Sequence, residues 1–222
     1  MEDLLFAVVI GGYVALAFAW PTLRVWRRHG VWPIVFDRES APAQRLLGFL
    51  TGTLFAGLVA LAAVQAVVGR AALGVWPLPA PVRLAGWLAL LCGAALTVLA
   101  QRQMGASWRI GIDDRPTDLV TGGIFRFIRN PIFTGLLLSL AGVAVLCAQW
   151  WSVAVLVVTA LSLRVQVAFE EGHLIALHGD AYLDYAARAG RFVPLVGRLR
   201  ARPAIGPEGI GAAARGVSHE TQ

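Results

Sequence analysis

The chain has 222 residues, of which 58% are hydrophobic and only 14% charged, against about a quarter charged in ordinary soluble domains. That balance excludes a free-standing aqueous globule, and the length suits one domain of several apolar helices. The net charge of +6 is carried entirely by arginine, because the sequence contains no lysine. The arginines sit between apolar runs, where membrane topology accounts for them and nucleic-acid binding is not needed.

The first apolar run is Leu4 to Trp20, interrupted by Gly11, Gly12 and Tyr13. It is just long enough to cross a hydrocarbon core of about 30 Å. A cleaved signal peptide is the rival reading; Glu2 and Asp3 stand where a basic leader would begin, and no small-x-small cleavage site follows. The second run is Leu46 to Val68, with Gln65 as its strongly polar interior residue. Leu84 to Ala100 is the third, after a turn carrying Pro77, Pro79 and Pro81. Ile132 to Ala148 and Trp150 to Val167 are the fourth and fifth. Only Gln149 and the paired Trp150 and Trp151 lie between them, so a tight antiparallel hairpin is predicted, with tryptophans at the interface. Cys92 and Cys147 fall inside apolar runs and read as small buried hydrophobes, with no disulfide or metal spacing.

Arginine placement predicts an orientation. Arg24, Arg27, Arg28, Arg38 and Arg45 follow run one, and Arg102, Arg109, Arg115, Arg126 and Arg129 follow run three. Arg188, Arg191, Arg198, Arg200 and Arg202 follow run five. The other side carries only Arg70 and Arg83. Five spans with the N-terminus outside and the C-terminus cytoplasmic satisfy this alternation, in a membrane of the bacterial inner type. The expected fold class is therefore all-α and polytopic, with short helices after the fifth span. Gly179 reads as a helix stop and Asp180 as the N-cap of a helix over residues 181–189. Residues 1–202 form one expected domain with a motif-bearing core at 101–195, and 203–222 read as a disordered tail.

Two polar, aromatic, arginine-bearing segments flank the hairpin on its cytoplasmic side: Gly105 to Gly135 and Arg164 to Pro194. Their convergence at a membrane surface suits a small polar cofactor. Taken singly, their residues have plainer readings. Glu170 and Glu171 fit a helix leaving the membrane, and Arg129 before Pro131 fits an anchor ahead of a helix start. Tyr182 and Tyr185 fit interfacial anchors. His173 and His178, five apart, share no helix face, so no metal is expected.

In combination the segments resemble a family. LVTGGIF (Leu119 to Phe125), RNPIFTG (Arg129 to Gly135), the Glu170–Glu171 pair and HGDAYLDY…GRFVP (His178 to Pro194) resemble the isoprenylcysteine carboxyl methyltransferase family and the related phospholipid N-methyltransferases. The resemblance covers roughly residues 105–194 and rests on the order and spacing of the pieces around a hairpin. It implies an enzyme: a methyltransferase that uses S-adenosylmethionine and acts on a lipophilic or membrane-accessible acceptor, with carboxyl O-methylation favoured. It places cofactor contacts on Thr117, Asp118, Leu119, Val120, Phe125, Asn130, Pro131, Ile132, Phe133 and Glu170. Substrate contact falls on Gln166, with Arg164 the nearest alternative. Chemistry adds Glu171 for ammonium or ribose hydroxyls, ring stacking for Phe125 and Phe133, and Arg129 for the carboxylate of the cofactor. No catalytic residue is singled out. Asn130 replaces the family's His, Phe125 and Phe133 replace two tyrosines, and His178 replaces a Phe. The alternatives are phospholipid amine N-methylation, a sterol-type membrane reductase, and a non-catalytic scaffold binding lipid or a partner helix.

Overall fold

The computed structural model of the chain describes residues 1–30, 42–105 and 118–199, and among these it is all helical apart from one isolated bridge, Ile128 to Gly190. α1 (Glu2–Val14), a π-helical turn (Ala15–Ala19) and α2 (Trp20–His29) run on as one rod. α3 (Pro42–Val68) and α4 (Ala80–Met104) follow. A 3-10 turn (Gly123–Arg126) leads into α5 (Pro131–Cys147), α6 (Trp150–His178) and α7 (Asp180–Arg188).

Glu2–Arg27, Ala80–Met104 and Trp150–His178 are each long and apolar enough to cross a bilayer. Gly52–Val68 and Pro131–Cys147 are shorter apolar helices. At 17 residues, α5 rises about 25 Å, a little less than the hydrocarbon core. Each run read from the sequence thus has its helix. α6 outlasts its apolar run by about three turns, which carries Glu170 and Glu171 beyond the apolar stretch. Gly179 (φ 53°, ψ −128°) stops it, and Gly179 itself, in place of the expected Asp180, is the N-cap of α7. The tail expected to be disordered, 203–222, lies outside the described residues.

Small residues set the tightest packing. Apolar attraction between helices is weak in lipid, so close backbone approach has to supply the dispersion energy. Gly93 and Gly135 face each other across α4 and α5: a Cβ on Gly93 would lie 2.5 Å from the Gly135 carbonyl oxygen. One on Gly142 would lie 2.5 Å from both the Gly86 carbonyl oxygen and the Leu90 amide nitrogen. Ser139 Oγ donates across the same seam to the Leu90 carbonyl at 3.3 Å. Phe6, Ile10, Ala62, Leu90, Val143, Leu146 and Cys147 form the core that binds α1, α3, α4 and α5 together. Cys147 is buried as expected, but Cys92 is exposed on α4. An apolar run does not reveal which of its faces meets lipid.

Polar contacts pin each end of the bundle. At the hairpin end, Gln65 Nε2 donates to Asp3 Oδ1 at 2.9 Å and Arg70 Nε donates to the same oxygen at 3.0 Å. Arg70 also pairs with Glu2 at 3.3 Å, and the Trp76 amide donates to the Ala148 carbonyl at 3.1 Å. The acidic tip of α1 therefore clasps the end of α3. At the opposite end, Gln101 Nε2 donates to the carbonyl of Ala17, within the π-helical turn, at 2.7 Å.

Candidate functional site

The connection between α4 and α5 is shaped by glycine and by α4 itself. Gly122 is extended and Gly123 has φ 58°, a conformation most side chains avoid. A Cβ on Gly123 would run into the Gln103 side chain, whose Oε1 accepts the Ile124 amide at 2.8 Å. The chain then passes beside the segment after α7. The Arg129 amide donates to the Gly190 carbonyl at 2.8 Å, and the Gly190 amide donates to the Phe127 carbonyl at 3.0 Å.

Arg129 is the hub of this end, with a side chain only 1% exposed. Its Nε and Nη2 donate to Glu171 Oε1 at 3.1 and 2.7 Å. Nη1 donates to the carbonyls of Ala186 and Ala189 at 3.0 and 2.6 Å, and Nη2 also reaches the Gly197 carbonyl at 3.0 Å. Glu171 receives a second guanidinium, from Arg191, whose Nε lies 3.1 Å from Oε1 and whose Nη2 pairs with Oε2. Two arginines against one carboxylate leave an excess positive charge, and three carbonyl dipoles take it up. A buried pair survives only with such full hydrogen bonding. One cluster thereby bolts together the α5 entrance, α6, the end of α7 and the 190–199 turn.

The tyrosines support the same corner. Tyr182 and Tyr185 are buried, at 1% and 6% exposure, and pack against each other and Leu119. This corrects their reading as interfacial anchors: α7 turns its apolar face inward. Tyr185 donates its hydroxyl to the Phe125 carbonyl at 2.8 Å. Burial pushes the Tyr182 phenol up to about 12 and raises that of Tyr185 as well, so both stay neutral donors at physiological pH.

Of the residues singled out in the sequence, Thr117 lies outside the described residues. Asp118 is exposed, and Val120 is half-buried. Phe125 is buried, while Ile132 and Phe133 pack toward Tyr13 on α1, Ala17 in the π-helical turn and Leu136 on α5. Asn130 is the N-cap residue of α5. Its amide and its Nδ2 both donate to the Arg191 carbonyl, at 3.1 and 3.2 Å, and Pro131 fills the first turn. Glu170, half-buried, accepts from Gln166 Nε2 at 3.1 Å one turn back. Arg164 is exposed. The structure thus joins Gln166 to Glu170 and Arg129 to Glu171, and keeps the two pairs distinct. Arg191, Gln103 and Thr134 were missed, although Arg191 lies in the GRFVP stretch and Thr134 in RNPIFTG. Thr134 Oγ1 donates to the Phe192 carbonyl at 2.8 Å. Among the described residues Glu170 pairs with no arginine. His178 Nε2, two turns beyond Glu171, is buried without a hydrogen-bond partner.

The phospholipid methyltransferase family model matches residues 82–181, a stretch running from α4 to the start of α7. Methanethiol S-methyltransferase 1 of Bradyrhizobium diazoefficiens is 31% identical over 85 residues, which cover 38% of this chain and 29% of that protein. The chain therefore spans under a third of the curated relative it matches. Among solved structures, the eukaryotic intramembrane Ras methyltransferase ICMT (isoprenylcysteine carboxyl methyltransferase) shares the fold, with a TM-score of 0.54 at 16% identity over 86% of this chain and 68% of that one. The matched family and both relatives are methyltransferases. The matched segment covers under half of the chain and the likeness to the Ras methyltransferase shows the fold alone; segment, curated relative and structural neighbour are alike methyltransferases, and these are what the chain is similar to.

Proposed function

We propose that this chain transfers a methyl group from S-adenosylmethionine to a lipophilic or membrane-accessible acceptor, at the end of the bundle where the 118–133 segment meets α6. One observation carries the reading: Glu170, half-buried and oriented by Gln166, stands beside the Arg129–Glu171–Arg191 cluster without joining it. Its donor set fits the cofactor. A carboxylate accepts from an ammonium or from ribose hydroxyls. The backbone of Leu119 to Gly122, and of Asn130 to Phe133 where α5 begins, supplies further polar groups. The unfilled His178 Nε2 supplies another.

The cofactor supplies an electrophilic methyl group on a sulfonium centre. This chain's part is to hold and align, as direct displacement requires. Glu170 binds, Gln166 fixes its rotamer, and the Arg129 cluster keeps α6 and the 118–133 segment in register. The apolar helices α5 and α6 exclude water from the acceptor's approach. A carboxylate acceptor has no proton to lose on methylation, whereas an amine must shed one; no general base is then needed for the first. The family match to phospholipid methyltransferases keeps the amine acceptor as a second reading. The arginine distribution supports a cytoplasmic position for this end of the bundle, with the N-terminus outside.

The test is transfer of tritiated methyl from S-adenosylmethionine into the organic extract of membranes bearing the protein. Label is expected to accumulate with wild type and to fall about 10- to 100-fold with Glu170→Gln, the range for losing hydrogen bonds to a charged group. Mild alkali separates the acceptors, because it releases methyl esters as methanol and leaves N-methyl groups in place. Equal labelling with and without the protein contradicts the proposal.

A further inference from the structure

A cavity of about 340 Å³ lies within the apolar part of the bundle, between α1, α3, α5 and α6. Its wall is mostly aliphatic, with Leu58, Leu61, Leu140, Val143 and Val155 among the lining residues. Four buried hydroxyls interrupt it, and three are satisfied by the protein. Tyr13 meets Thr97 Oγ1 at 3.3 Å, Ser139 Oγ reaches the Leu90 carbonyl, and Ser152 Oγ reaches the Ala144 carbonyl at 3.1 Å. The fourth is Thr159. At 6% exposure its Oγ1 has no hydrogen-bond partner. A helical threonine ordinarily returns its hydroxyl to a carbonyl one turn back, and in a bilayer no water stands in. A hydroxyl left bare in hydrocarbon is costly. Thr159 stands in the wall of this ligand-sized cavity, and a turn about χ1, which a helical threonine takes between two rotamers, presents the hydroxyl to a partner that arrives from outside the chain.

We propose that this cavity binds a single-chain lipid whose chain carries a hydroxyl or carbonyl oxygen, with that oxygen hydrogen-bonded to Thr159. The aliphatic wall takes the chain, and its volume, at the low end for small-molecule sites, favours one chain over two. Thr159 lies about 10 Å along α6 from Gln166 and about 16 Å from Glu170, so the site stands without the methyl-transfer reading. Gly57 lines the cavity, and a Cβ built on it meets nothing within 4 Å. A bulky side chain there enters the cavity without displacing a neighbour at its root.

The experiment measures binding of hexadecan-1-ol and of hexadecane to the full-length protein in detergent, by native mass spectrometry and by the rise in unfolding temperature. The alcohol is expected to bind saturably, five- to tenfold tighter than the alkane, as one neutral hydrogen bond implies. Thr159→Val is expected to remove that preference while retaining the alkane affinity, and Gly57→Phe to weaken both ligands. Monodisperse elution and the ligand-free unfolding temperature serve as the folding control for each variant. Equal affinity of wild type for alcohol and alkane overturns the proposal, and so does a preference that survives Thr159→Val. Should Gly57→Phe fail to fold, the wild-type comparison of the two probes still decides.

Discussion

Arg129→Ala is expected to leave little folded protein. The side chain makes five hydrogen bonds, to Glu171 and to three carbonyls. Removing one partner of a buried pair costs about 3–5 kcal/mol, a large share of a typical total stability of about 5–15 kcal/mol. Here three buried carbonyls would lose a donor as well. Arg129→Lys is expected to recover only a fraction, since an ammonium cannot reproduce the planar fork that reaches Glu171 and the carbonyls together. The check is the monodisperse yield and unfolding temperature of detergent-solubilised protein. A variant that folds like wild type and loses only cofactor affinity would return Arg129 to the ligand-binding role suggested by the sequence.

The second large effect is expected at the α4–α5 seam. Gly93→Val and Gly142→Val each place carbon atoms where backbone of the facing helix already lies, 2.5 Å from the nearest carbonyl oxygen. Overpacking costs about 1–3 kcal/mol where side chains can yield. Backbone on both sides yields less, so the loss should sit at or above that range. Gly11→Ala is the control, because its added Cβ meets nothing within 4 Å and alanine favours the helix by up to about 1 kcal/mol. Thermal unfolding of the three variants side by side is the measurement. A Gly93 or Gly142 variant as stable as the Gly11 variant would show that the helices do not pack at this seam.

Helices were legible because an apolar run about as long as the bilayer is thick has few alternatives, and because Pro131, Gly179 and Gly190 punctuate the chain. The faces of those helices were not. Cys92 reads like Cys147 in sequence, yet one is exposed and the other buried. The glycines of α4 and α5 gave no signal either, since a helical glycine declares its purpose only when the facing backbone is known. At the candidate site, the motifs marked segments that the structure brings together but could not divide their charges. Arg129 and Glu170 both looked like ligand-binding groups. Arg129 is committed to Glu171 and to carbonyls 57 to 68 residues away in sequence, and no local pattern encodes that. Glu170 and Glu171 are adjacent, so the helix turns them about 100° apart: one joins the ion cluster and its neighbour joins Gln166. The Thr159 cavity depends on four helices meeting and left no trace in any single run.

The most direct test of the central claim is calorimetric titration of S-adenosylmethionine into the detergent-purified protein, run beside Glu170→Ala. Saturable binding by wild type in the micromolar range, abolished in a Glu170→Ala variant that retains its unfolding temperature, is the expected result. A folded wild type that takes up neither S-adenosylmethionine nor S-adenosylhomocysteine would contradict the methyltransferase reading and leave a lipid-binding scaffold in its place.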